Sequence, residues 1–407
     1  MPLELQARTD AGRRLVSIAE ALAADFATRA AEHDRDATYP HEDVEALRES
    51  GYLSAPVPEE LGGMGVESVH DLLVASSRLS RGQPSVAIGA NMHLIPIVNI
   101  AHIWRSAMLA GDRARAAAFG ASLEAVARGG VVMASAVSEP NQDLTRPSTR
   151  AVRTEDGWSV SGHKVFCTMS PAADVLLASV TFEDDSGERY GYVRIPTKTP
   201  GVHVQDDWDA LGMRASGSHS VVFDDVRLPE AAVGGGFPAG RLTGDFIDRN
   251  LVAGAFHAAS SVGIAEEAVR VALEGLARRG HATQTPRTQM LAAESAIELS
   301  ALRAMLQRAG TLIDEHHVRR AAEAPDLGEM TALFAEVQAA KTFVNEAAVR
   351  VVDRALAMSG GAGYMTRHPL SRAYRDVRAG AFMHPLGANR AYDLIAEVAL
   401  GMEPTLR

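Results

Sequence analysis

Several things are scarce in this chain of 407 residues, and each scarcity excludes something. There is one cysteine, Cys167. That rules out an intrachain disulfide and a cysteine-rich metal site, and a reducing cytoplasm is the expected setting. Aromatic residues are 5% of the chain, while Ala and Gly abound, a composition that favours closely packed helices. No stretch reaches the roughly 18 uncharged apolar residues that a membrane helix needs. The start, from Met1 to Leu15, has no apolar signal core. Basic runs are as short as Arg278-Arg279 and Arg319-Arg320, and the formal net charge is −11 with a pI near 5.7. A nucleic-acid partner is therefore not expected. No P-loop, zinc spacing or G-x-S-x-G elbow is present. Neither Gly62–Gly65 nor Gly360–Gly363 follows a strand and opens a helix, so neither makes a Rossmann site.

What is there is a β stretch between two helical blocks. From Gly157 to Pro229, Val, Ile, Tyr and Phe alternate with polar residues and are punctuated by Gly, Pro and Asp-Ser-Gly. The β region extends upstream to a strand that ends on Pro140. Seven or so short strands suggest a small barrel or sandwich. Residues 1–130 read as an N-terminal helical domain, 131–232 as the β domain and 240–407 as a C-terminal four-helix bundle. In the bundle, Leu333, Val337, Ala340, Val344, Ala347, Val351 and Ala355 form a helical stripe of core type. The fold class is α+β. His93, inside the apolar run Val86–Ile103, reads from its neighbours as a hydrogen-bonded core residue rather than a catalyst.

Six motifs, in order along the chain, carry a resemblance. They are Pro58-Glu59-Glu60-Leu61-Gly62-Gly63-Met64-Gly65, Val137-Ser138-Glu139-Pro140, Ser161-Gly162-His163-Lys164-Val165-Phe166-Cys167-Thr168, Leu211-Gly212-Met213-Arg214 through Phe223-Asp224-Asp225-Val226, Gly360-Gly361-Ala362-Gly363, and Tyr374-Arg375-Asp376. Together they resemble the acyl-CoA dehydrogenase superfamily. The resemblance implies a flavin, FAD or FMN, lying between the β domain and the C-terminal bundle. It puts Phe166 against the flavin ring, Thr168 near its N5 edge and Ser138 at its pyrimidine edge. It also implies that Gly360, Gly361 and Gly363 meet the cofactor of a neighbouring subunit in a homotetramer.

The departures from that family are as informative. Where most acyl-CoA dehydrogenases carry the glutamate that removes a substrate α-proton, this chain has His384. The alternative position, on the first helix after the β domain, falls near Ala253, and Asp248 is more than a turn away. The segment after Pro140, Asn141-Gln142-Asp143-Leu144, looks shortened, and Arg278-Arg279-Gly280-His281 lacks a Phe-Gly pair. These features resemble the two-component flavin monooxygenases of the same fold, which take reduced flavin from a separate reductase. That branch implies His384 and His93 as catalytic residues flanking the flavin; Trp208 and Gly217-Ser218-His219 also fit it. Three readings remain open at this point. They are a monooxygenase acting on a small organic substrate, an acyl-thioester dehydrogenase with an unusual base, and a non-catalytic flavoprotein.

Overall fold

A computed structural model describes residues 3–140, 143–280, 284–320 and 326–404. Asn141, Gln142 and His281 of the departures above lie outside the described residues. The N-terminal helices are α1 (Asp10–Phe26), α2 (Ala30–Asp36), α3 (His41–Glu49), α4 (Val69–Gly82), α5 (Pro84–Ala110) and α6 (Arg113–Ala127). Their starts follow local chemistry. Thr9, Ser68 and Asp112 each cap a helix by accepting from a backbone N–H in its first turn. Helix α5 is long and apolar enough to cross a membrane by length and composition, but 83% of its apolar window is buried inside the protein. It is a core helix that runs through Pro96, and it supplies one wall of the site.

The β region holds β1 (Met133–Ala136), β2 (Arg150–Thr154), β3 (Gly157–Cys167), β4 (Val175–Asp184), β5 (Gly187–Pro196), β6 (Val202–Val204), β7 (His219–Leu228) and β8 (Phe237–Pro238). All eight join one mixed sheet in the order β6-β7-β3-β2-β4-β5-β8, with β1 parallel to β4. The register of β3 on β7 slips between Lys164 and Cys167. That slip sets the direction of Phe166, as described below.

The C-terminal part has α7 (Gly244–Arg279), α8 (Pro286–Arg320), α9 (Leu327–Ser359), α10 (Gly361–Tyr364), α11 (Pro369–Asp376) and α12 (Ala388–Ala399). Asp326 caps α9 through the N–H groups of Gly328 and Glu329. In the predicted stripe, Val337, Ala340, Val344, Ala347, Val351 and Ala355 are all buried. Helix α7 packs on α8, α9 and α4. Buried Glu266 of α7 accepts from Arg81 at 2.6 Å and Arg303 at 2.7 Å, and lies 3.4 Å from Arg78. This cluster ties the N-terminal helices to the bundle.

Candidate active site

The cleft between the sheet, α5, α7 and the segment after α11 is a cavity of about 980 Å³. Its β side is built by strain and hydroxyls. Phe166 has φ +56°, a left-handed conformation that costs a bulky residue about 1–2 kcal/mol. The slip in β3 imposes it and turns the ring into the cavity. The ring is 63% exposed, and its one aromatic neighbour among the described residues is Trp208, edge-on at 6.0 Å. Trp208 is pinned in turn, its indole N–H donating to the Met213 carbonyl at 3.0 Å. Its backbone N–H donates to His219 Nδ1 at 3.2 Å. Beside Phe166, Thr168 and Ser218 share a hydrogen bond of 2.8 Å, and Ser218 pairs with Ser216 at 2.6 Å. Ser138 completes the hydroxyl edge of the same cavity.

Behind this surface sits a buried ion pair. Lys164 Nζ donates to Glu139 Oε1 at 2.6 Å and to Ser179 Oγ at 2.9 Å. Glu139 also accepts from the N–H and hydroxyl groups of Ser148 and Thr149. Burial alone would raise its pKa, but Lys164 and these donors prevail and hold it down at about 2. The strand that carries Phe166 is thereby clamped to the strand end that carries Ser138.

The helical wall is basic, not acidic. Asn250, Ala253 and His257 of α7 line the cavity along one helical stripe, and His384 faces them. His384 Nε2 lies 3.4 Å from Asn250 Oδ1, and the ring is neutral. Burial, reinforced by the Lys341 and Lys164 charges, pushes its pKa down to about 3. His257 is buried, and its Nδ1 has no hydrogen-bond partner among the described residues. Burial, then the nearby Lys341 and His384, pushes its pKa well below the ordinary value. Lys341 is buried beneath the 383–386 segment and donates to the carbonyls of Met383 at 2.5 Å and Leu386 at 2.7 Å. Burial pulls its pKa to about 7. No Asp or Glu is among the described residues that line the cavity, whereas Arg194, Arg249, Arg375 and Arg378 are.

Of the residues expected from sequence, Ser138, Phe166, Thr168 and His384 share this cavity. His93 does not line it. Its Nε2–H donates to the Leu53 carbonyl and its Nδ1 accepts from the Met133 N–H, each at 3.0 Å, deep in the core. Both nitrogens are spent on tying α5 to β1 and the turn at Leu53, so the structure does not bring His93 into the cavity that His384 lines. Gly360, Gly361 and Gly363 also lie away from the cavity; an added Cβ at Gly360 or Gly361 would meet nothing within 4 Å. Asp248 is engaged by His316 at 2.6 Å and is not a lining residue. Sequence reading missed His257, Asn250 and Lys341. The spacing of residues 250, 253 and 257 marks one helix face, but the Ala-rich run around it reads as plain core.

The residues present fit a flavin. An aromatic ring held exposed by a strained backbone suits a flat heterocycle, and the hydroxyls beside it suit its polar edges. When bound, FAD or FMN would rest on Phe166, Thr168 and Ser138.

The chain matches the acyl-CoA dehydrogenase N-terminal domain over residues 10–103, the middle domain over 134–226 and the C-terminal domain over 251–389. It is 34% identical to the amino sugar nitrososynthase DnmZ of Streptomyces peucetius, covering 97% of this chain and 95% of that one. It is 31% identical to the putative acyl-CoA dehydrogenase YdbM of Bacillus subtilis (strain 168), covering 92% and 94%. Among solved structures, KijD3 in complex with FMN and dTDP-3-amino-2,3,6-trideoxy-4-keto-3-methyl-D-glucose superposes with a TM-score of 0.89 at 32% identity. That match covers 98% of this chain and 96% of that one.

Proposed function

The chain belongs to the acyl-CoA dehydrogenase family and is a flavin-dependent oxidoreductase for small organic substrates, and within that family we propose that it is a monooxygenase that oxidises the nitrogen of an amine-bearing substrate. The observation that carries this reading is that no carboxylate is among the described residues that line the cavity. Dehydrogenation of an acyl thioester needs a base strong enough to take an α-proton. The position that would supply it holds His384, whose conjugate acid has a pKa of about 3, too weak a base for that task. The amine follows from the relatives, a nitrososynthase for amino sugars and a structure holding an amino sugar nucleotide.

Reduced flavin, when bound, supplies two electrons and the site at which dioxygen reacts. In balance, R–NH2, O2, two electrons and two protons give R–NHOH and water. The chain's own residues do the rest. Phe166 and the Thr168–Ser218 pair hold and orient the cofactor ring. Ile88, Met92, Ile95 and Met383 make the lining apolar and exclude water. Neutral His384, its Nε2 3.4 Å from Asn250 Oδ1, offers a hydrogen bond to the oxygen atom that leaves as water, and the protons of that water come from solvent. Lys341 keeps the segment that carries His384 in place.

The reading includes a separate reductase as the source of reduced flavin, a cytoplasmic setting and a homotetramer. The exposed turn at Gly360–Gly363 and the neighbouring Tyr364, 81% exposed, support an assembly in which a second copy covers them. Anaerobic mixing of the FAD- or FMN-loaded protein with a panel of acyl-CoAs tests the chemistry. The flavin is expected to stay oxidised. Bleaching by any acyl-CoA would establish the dehydrogenase reading instead.

A further inference from the structure

The form in which the amine enters follows from the charges around the cavity, and this step rests on the monooxygenase reading above. An amine in water near neutral pH is mostly ammonium. Inside this cavity an ammonium finds no counter-ion, since no carboxylate is among the described lining residues. It finds cations instead. Arg249 lines the wall against the Phe237 ring, 6.0 Å from its centroid, and Arg378 lines the segment after α11. Arg375 has Asp34 as its partner, and Lys341 lies buried behind α7. A desolvated, unpaired charge of the same sign as its surroundings is strongly disfavoured. A neutral amine carries no such penalty, and its lone pair, which must meet the oxygen atom, is free.

One group in the wall suits a neutral amine. His257 is 4% exposed and lines the cavity. Its Nδ1 is buried without a partner, which leaves Nε2 as the nitrogen the cavity can reach. The groups that face it are Lys341 from α9 and His384 from the segment after α11, and both oppose its protonation. A neutral imidazole whose hydrogen-bonding capacity the protein leaves unused is a stable acceptor for a neutral N–H donor and a poor host for an ammonium. The other nearby ring, His384, already faces Asn250.

We propose that the site admits its substrate as the free amine, with His257 Nε2 accepting a hydrogen bond from the amine N–H and so aiming the nitrogen lone pair at the flavin side of the cavity. The proton of the free ammonium stays in solvent.

Two probes test this on the full-length, flavin-loaded protein. They are the 3-amino sugar nucleotide found in the structural neighbour and its 3-deoxy counterpart, which carries no hydrogen-bond donor at that carbon. The ratio of their affinities cancels every titration they share. Below the ammonium pKa of the amino probe, the preference for it is expected to rise about tenfold per pH unit. A ratio that is flat with pH means that the ammonium binds, and overturns the proposal. In His257→Phe, the preference at fixed pH is expected to fall about tenfold while affinity for the deoxy probe is unchanged; an equal loss for both probes removes the role given to His257. The pH slope needs no variant, so it stands if that substitution disturbs folding. A wild-type protein that binds neither probe contradicts the amine reading itself, a result distinct from the flat ratio, and this proposal falls with it.

Discussion

Lys341 Nζ donates to the carbonyl oxygen of Met383 at 2.5 Å and reaches that of Leu386 at 2.7 Å. No ion pair joins this buried ammonium to a carboxylate among the described residues. Three backbone carbonyls, the third being that of His384 at 3.5 Å, take the place of a counter-ion. Lys341 is a positioning residue for His384. In Lys341→Met the carbonyls lose their donor, at about 1–3 kcal/mol for each buried group left unpaired, and the segment loosens. Flavin oxidation is expected to continue while product per reduced flavin falls roughly tenfold and hydrogen peroxide rises to match. Unchanged coupling would show that the segment holds its place without the lysine.

Phe166 separates stability from function. Its ring is 63% exposed and its backbone is left-handed, so the fold gains little from the side chain. Phe166→Gly relieves a strain of about 1 kcal/mol. The expected outcome is a protein at least as stable as the wild type in urea, with flavin affinity lower by roughly tenfold or more. A destabilised variant with unaltered flavin affinity would mean that the ring is a core residue and not a cofactor platform.

The motifs legible in the sequence were those where two distant segments meet. Asp376 of the Tyr-Arg-Asp motif accepts from the Met213 N–H of the Leu-Gly-Met-Arg motif at 2.6 Å, and Glu139 of one strand end clamps Lys164 of the next. Each motif is recognisable because its residues answer to a partner far along the chain. The helical wall was harder to read. His257 sits in a run of Ala and Ser whose periodicity says only that it is buried, and Lys341 looks like any lysine on an amphipathic helix. Their meaning depends on what α7 and α9 place beside them, and no local pattern records that. His93 shows the converse. Its apolar neighbours pointed to a core residue, family register pointed to the flavin, and the hydrogen bonds to Leu53 and Met133 favour the local reading.

That core position makes His93 a source of acid sensitivity. Burial pushes its folded-state pKa down to about 4, below the ordinary 6.5. Below pH 6.5 the unfolded chain therefore takes a proton that the folded chain refuses. Stability is lost as pH falls from about 6.5 toward 4, and is fully present above that window. Between pH 7 and pH 5 this residue accounts for roughly 2 kcal/mol. Urea unfolding at the two pH values is expected to show a loss in the wild type that exceeds the loss in His93→Gln by about that amount. Equal losses would mean that the imidazole is protonated in the folded protein.

The most direct measurement of the central claim is the fate of labelled oxygen. The protein, given reduced FMN, 18O2 and the 3-amino sugar nucleotide, is expected to release a product carrying one 18O atom on nitrogen, the other atom leaving in water. A product without label, or loss of hydrogen across a carbon–carbon bond with all the labelled oxygen recovered as peroxide, would contradict it.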